Sequence, residues 1–186
     1  MMAGTEPTYD VVLLAEQALS DVDAHEVVAL HEELETDQEV VYHVLIPVED
    51  AAARVEATLG TLGAGEPLVA PAMAMSDLDI EEVRKECVQR SSEALQTSLA
   101  KLRAAGAEAE GHTVDEAPVD ALAKAIAAVD GREAIILTRP HLVAEFFHLD
   151  WTSRARRKLE VPVLHLLEHE TLVEQSAGAG EGVTGA

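Results

Sequence analysis

Only one cysteine, Cys87, occurs among the 186 residues, so neither an internal disulfide nor a cysteine-ligated zinc site can be assembled within one chain. Basic residues are scarce: 13 Lys and Arg stand against 35 Asp and Glu, for a formal net charge of −22. A chain so acidic repels nucleic-acid phosphates and anionic membrane surfaces at long range, which argues against both as partners. No Lys or Arg precedes Arg54, so the acids from Glu6 to Asp50 run unopposed along the sequence. No apolar run approaches the roughly 20 residues of a membrane span, and the opening MMAGTEPTYD lacks the basic and apolar regions of a secretory leader. The expectation is an acidic, soluble, cytoplasmic protein. Glycine is missing between Gly131 and Gly178, and aromatic residues are few: two Phe, two Tyr and one Trp.

What is present is a regular alternation. The length suits one core and one domain. Residues 1–8 read as a flexible lead-in, and YDVVLLAE from Tyr9 is a continuous apolar run of strand length, as in a strand buried on both faces. Ser20 suits a helix N-cap, with Val27, Leu30 and Leu34 on helical spacing as far as Glu35. The β-branched segment Glu39 to Val48 predicts a second buried strand. Residues 49–76, broken by Gly60, Gly63, Gly65, Pro67 and Pro71, read as a surface excursion in which Met73 and Met75 pack on the core. A long helix is predicted from Asp77 to Ala105, with Ile80, Val83, Cys87, Ala94, Leu95, Leu99 and Leu102 on one stripe and Gly106 to end it; Cys87 is expected to be a buried small hydrophobe. Ala107 to Val114 alternates apolar and charged residues, as an edge strand would. A helix from Pro118 to a terminal Gly131, a strand from Glu133 to Thr138, a short basic helix and a strand from Val161 to Leu167 complete a domain over 9–169, followed by a disordered tail, 170–186. Five strands alternating with four helices call for an α/β doubly wound parallel sheet with helices on both faces and right-handed crossovers.

The segments LRAAGAEAE, PVDALAKAIAA, EAIILT and VPVLHLL make the chain resemble a universal stress protein of the UspA-like family, over roughly Tyr9 to Glu168. The resemblance implies strand order 3-2-1-4-5, a homodimer paired through the last strand, and a role in stress response or regulation. Members of that family that bind ATP resemble one another in a motif G-x2-G-x9-G-[ST] after the fourth strand and in an acid closing the first. Here the spacing is kept while the glycines are not: Thr138, His141 and Trp151 replace them, Thr152 matches the hydroxyl residue, and Glu16 stands near the acid position. Side chains at those places fill the room that phosphate needs beside the backbone, so standard ATP binding is not expected.

In an open parallel sheet the crevice beyond the carboxyl ends of the strands is the expected ligand site. The loop that begins there concentrates Phe146, Phe147 and Trp151, three of the five aromatics, and Arg139, Arg154, Arg156, Arg157 and Lys158. Two readings stand. The aromatics plug an old crevice as core, or a small anionic ligand is held there by Glu16, Thr138, Arg139, His141, Trp151, Thr152, Ser153 and Arg154 at the start of a helix that Asp150 would cap. No cofactor is expected, ATP or AMP being what the resemblance leaves open. His141, His148 and Asp150 lack the helical i, i+4 spacing that fixes a metal site, and Ser153 has no G-x-S-x-G context, so neither a metal centre nor enzymatic activity is expected.

Overall fold

The computed structural model describes residues 7–32, 38–49, 77–138 and 158–167. In chain order these form β1 (Tyr9–Ala15), α1 (Asp21–Glu32), β2 (Val40–Pro47), α2 (Asp77–Ala104), β3 (Glu108–Val114), α3 (Pro118–Val129), β4 (Glu133–Thr138) and β5 (Val163–Leu167). All pairings are parallel and the sheet order is β3-β2-β1-β4-β5, the order and class that the sequence implied. The fourth helix lies outside the described residues except for helical Lys158 and Leu159. The excursion at 49–76, apart from Glu49 at its start, and the tail lie outside them too.

β1 is central because its run of apolar side chains can be covered on both sides. Val11, Leu13 and Ala15 point into one layer with Val27 of α1 and Leu95, Leu99 and Leu102 of α2. Val12 and Leu14 point into the other with Leu122 and Ile126 of α3 and Leu159. The period of two along the strand thus divides one hydrophobic run between two cores.

The helix ends follow their local chemistry. Ser20 and Asp23 form a reciprocal cap on α1: Asp23 N–H donates to Ser20 Oγ at 3.1 Å and Ser20 N–H to Asp23 Oδ2 at 2.7 Å. Gly106 closes α2 at φ +97°, with Gly106 N–H on Arg103 O and Ala107 N–H on Leu102 O, both at 3.0 Å. At the end of α3 the left-handed residue is Asp130, φ 53°, rather than the expected Gly131. Gly131 serves close packing instead: an added Cβ would stand 3.3 Å from both Val12 Cγ2 and Ile126 Cα.

Other expectations are corrected. Ile80, assigned to the buried stripe of α2, is 42% exposed. At 28 residues α2 is about 42 Å long, whereas a strand of seven residues spans about 23 Å. The helix outruns the sheet, and its burial begins at Cys87, which is buried as expected. β5 starts at Val163, not Val161, because Glu160 takes φ 54° and Pro162 O accepts the Ala134 N–H at 2.9 Å before the strand begins. Three of the early acids, unopposed along the chain, are met in space: Asp10 by His43 at 2.7 Å, Asp21 by Lys101 at 3.3 Å and Glu49 by Arg90 at 3.1 Å.

Candidate functional site

The carboxyl ends of β1 and β4 lie side by side, Ala15 opposite Leu137, and the Glu16 N–H donates to Leu137 O at 3.3 Å. Glu16 and Thr138 are thereby brought to one rim. The other six candidate residues, Arg139, His141, Trp151, Thr152, Ser153 and Arg154, lie outside the described residues.

The rim holds a residue that sequence reasoning did not place there. His165 projects from β5, and its Nε2 is 2.8 Å from Thr138 Oγ1. β5 is packed so that Val163 joins the α3-side layer, and the strand period puts His165 on that face with Thr138. Burial pushes the imidazole below the usual histidine range, so it is neutral at pH 7. The only sequence signal was a polar residue inside the apolar run VPVLHLL. Beside the rim, an open groove of about 450 Å³ runs between the β1–α1 connection, with Gln17 and Ser20, and α2, with Arg90, Glu93 and Thr97. The connection is tied to α2 by Ser98 Oγ, which accepts the Leu19 N–H at 3.1 Å and donates to Ala94 O at 2.8 Å.

A second polar cluster closes the opposite, amino end of the sheet. His31, in the last turn of α1, places Nε2 2.8 Å from Glu133 Oε1 and Nδ1 2.7 Å from the Tyr42 hydroxyl, while Tyr9 O–H donates to Glu133 Oε2 at 3.1 Å. The hydrogen bond from His31 holds the Glu133 carboxyl below its ordinary range against the opposing cost of burial. Burial, reinforced by Glu133, pushes the Tyr9 and Tyr42 hydroxyls up. On the other face His43 bridges Asp10 of β1 and Glu110 of β3 at 2.7 and 3.0 Å. These partners are more than 30 residues apart in sequence, except Tyr42 and His31, so no local motif announces them. Among the described residues no group of three or more His, Cys, Asp or Glu is disposed to hold a metal ion, and no helix is long and apolar enough to cross a membrane.

The sheet order, the layers and the place of the crevice define an open α/β fold of the universal stress protein type. Similar solved structures include the protein MJ0577, aligned over 89% of this chain and 100% of that one at 12% identity with a TM-score of 0.55. They also include a universal stress protein from Archaeoglobus fulgidus, with 18% identity over 85% of this chain and 93% of that one and a TM-score of 0.48. A universal stress protein family protein from Arabidopsis thaliana with AMP bound aligns over 88% of this chain and 93% of that one, at 13% identity with a TM-score of 0.48. At such identities the likeness is one of fold. No protein-family model matches the sequence, and no curated protein does.

Proposed function

We propose that the chain is a non-enzymatic, universal-stress-protein-like domain that acts in stress response or regulation in the cytoplasm, as a homodimer, without binding ATP in the manner of that family. The observation that carries this reading is the rim itself. Thr138 stands where the resemblance puts the first motif glycine, and its side chain is committed to His165 at 2.8 Å. A phosphate held by backbone N–H groups needs the close approach that glycine allows, and a Thr side chain occupies that space. The dimer is supported by β5, an edge strand in the sheet order whose Leu164 is 37% exposed and which calls for cover. Light scattering at micromolar concentration is expected to return twice the 19.8 kDa chain mass, and ATP is expected to leave the melting temperature unchanged. A monomer mass removes the dimer. Stabilisation by ATP approaching the roughly 2.7 kcal/mol that a ligand gives at a hundredfold excess over its Kd removes the other half.

A second reading, a nucleotide or other small anionic ligand in the crevice beyond β1 and β4, is favoured by one observation: β1 and β4 end side by side there, with Thr138 Oγ1 and His165 Nε2 2.8 Å apart at the rim.

A further inference from the structure

β3 forms one edge of the sheet, paired with β2 alone. Successive residues of a strand turn their N–H and C=O to opposite sides. Val114 O accepts the Val48 N–H at 2.7 Å on the β2 side, whereas Ala109 O accepts from the Arg103 guanidinium at 2.6 Å on the other. By that alternation Ala109, Gly111 and Thr113 face outward. Arg103 closes one end of the edge, while the outward N–H and C=O of Gly111 and Thr113 meet no partner among the described residues. The strand period sets Glu108, Glu110 and His112 on the α3 side with Val114, and all three are exposed. Glu110 remains 70% exposed even while it bonds His43. Between β3 and α3 lies a cavity of about 300 Å³, lined by Glu110 and His112 on the strand and by Ala125, Ala128 and Val129 on the helix.

We propose that β3 is a docking edge for an extended basic segment of a partner protein, which adds to the sheet as a further strand. Its main chain pairs with Gly111 and Thr113. Alternate Lys or Arg side chains on the α3 side lay their stems along Ala125, Ala128 and Val129, and their heads meet Glu108 and Glu110. Charge selects the occupant: a chain of net charge −22 draws a basic segment and repels an acidic one. Acids on an edge strand guard it against its own kind, and the same acids admit a chain of opposite sign. The other edge, β5, carries no Asp or Glu between Val163 and Leu167, so the two edges suit different partners.

The test titrates the ¹⁵N-labelled full chain with an eight-residue Lys–Val repeat at low salt and follows the amide shifts. These are expected to centre on Gly111 and Thr113, and a Glu–Val repeat is expected not to bind. A Lys–Val repeat N-methylated at every second residue, which cannot donate along its pairing edge, is expected to bind about tenfold more weakly or worse. Thr113→Pro removes only an outward N–H, so it should keep its circular dichroism spectrum and also lose about tenfold. Glu108→Lys is expected to cost about fivefold, because like charges then meet across the pair. Equal binding by the N-methylated repeat, or by Thr113→Pro, overturns strand addition and leaves charge attraction alone. Absence of binding by the Lys–Val repeat at millimolar concentration overturns the proposal outright. So do Gly111 and Thr113 shifts that follow protein concentration without peptide, which assign the edge to a second copy of the chain.

Discussion

Gly111→Ala is expected to cost about 3 kcal/mol and to lower the melting temperature by about 6–12 °C, the shift that such a loss produces in a protein of this size. An added Cβ would stand 2.2 Å from Val44 O, 2.9 Å from Val44 C and 3.0 Å from Val44 Cβ. The atoms that would have to yield are backbone, not the end of a flexible side chain. Val44 pairs with Gly111 on one side and with Leu13 on the other, and it is fully buried, so its carbonyl cannot move without disturbing the ladder that joins β3 to the rest of the sheet. Gly106→Ala is the natural control. Nothing lies within 4 Å of a Cβ there and only the positive φ resists it, so about 1 kcal/mol is expected. Thermal and urea unfolding followed by circular dichroism would measure both; a Gly111→Ala melting point within two or so degrees of the wild type would show that β2 and β3 are not held so closely.

Breaking the amino-end network is expected to have the second largest effect. Replacing Glu133 by Ala leaves the His31 ring, which is almost wholly buried, without its carboxylate partner and the Tyr9 hydroxyl without its acceptor. About 2 kcal/mol is expected, the cost of stranding buried polar groups. The pH dependence has a definite sign. The folded carboxyl of Glu133 titrates below its ordinary range, so its contribution is complete above the unfolded value, about 4.3, and disappears as pH falls through the lower folded value. The stability gap between wild type and Glu133→Gln should therefore be widest near neutrality and close in acid. A gap that stayed constant in urea titrations from pH 7 to pH 3 would show that the carboxylate is not stabilised by its partners. At the alkaline end the sign reverses. Tyr42, whose hydroxyl donates to Val27 O at 3.1 Å, has a raised folded value, so its contribution is complete below the unfolded value of about 10 and is lost as pH rises through the folded one. Tyr42→Phe, which forfeits that bond, is expected to cost about 1 kcal/mol.

Much of the architecture was legible because it depends on periodicity. The YDVVLLA run announced a strand covered on both faces, and the stripe from Cys87 to Leu102 announced a helix, since burial on a regular element repeats at that element's own period. The alternation of such segments then left few topologies open. What failed was where an element met the limits of its neighbours. Ile80 obeys the helical stripe yet is exposed, because the stripe says nothing about how far the sheet extends beneath it. Asp130 takes the left-handed turn that glycine seemed to claim, because Gly131 is needed where Val12 and Ile126 press on the backbone.

The candidate site was legible only in position. The place beyond the ends of β1 and β4 follows from the order of the strands, and the register of the two strands sets Glu16 and Thr138 at one rim. The partner of Thr138 did not follow, because His165 is 27 residues away on another strand and its register against β4 is a product of packing. The same holds for His31 with Glu133, 102 residues apart, and for His43 with Asp10, 33 apart. By itself the sequence determined the elements, their order and the absence of glycine at the crevice, since these depend on local pattern and composition. Only the tertiary structure decided which polar groups share a proton, because a hydrogen bond depends on a fraction of an ångström between strands that no pattern along the chain encodes.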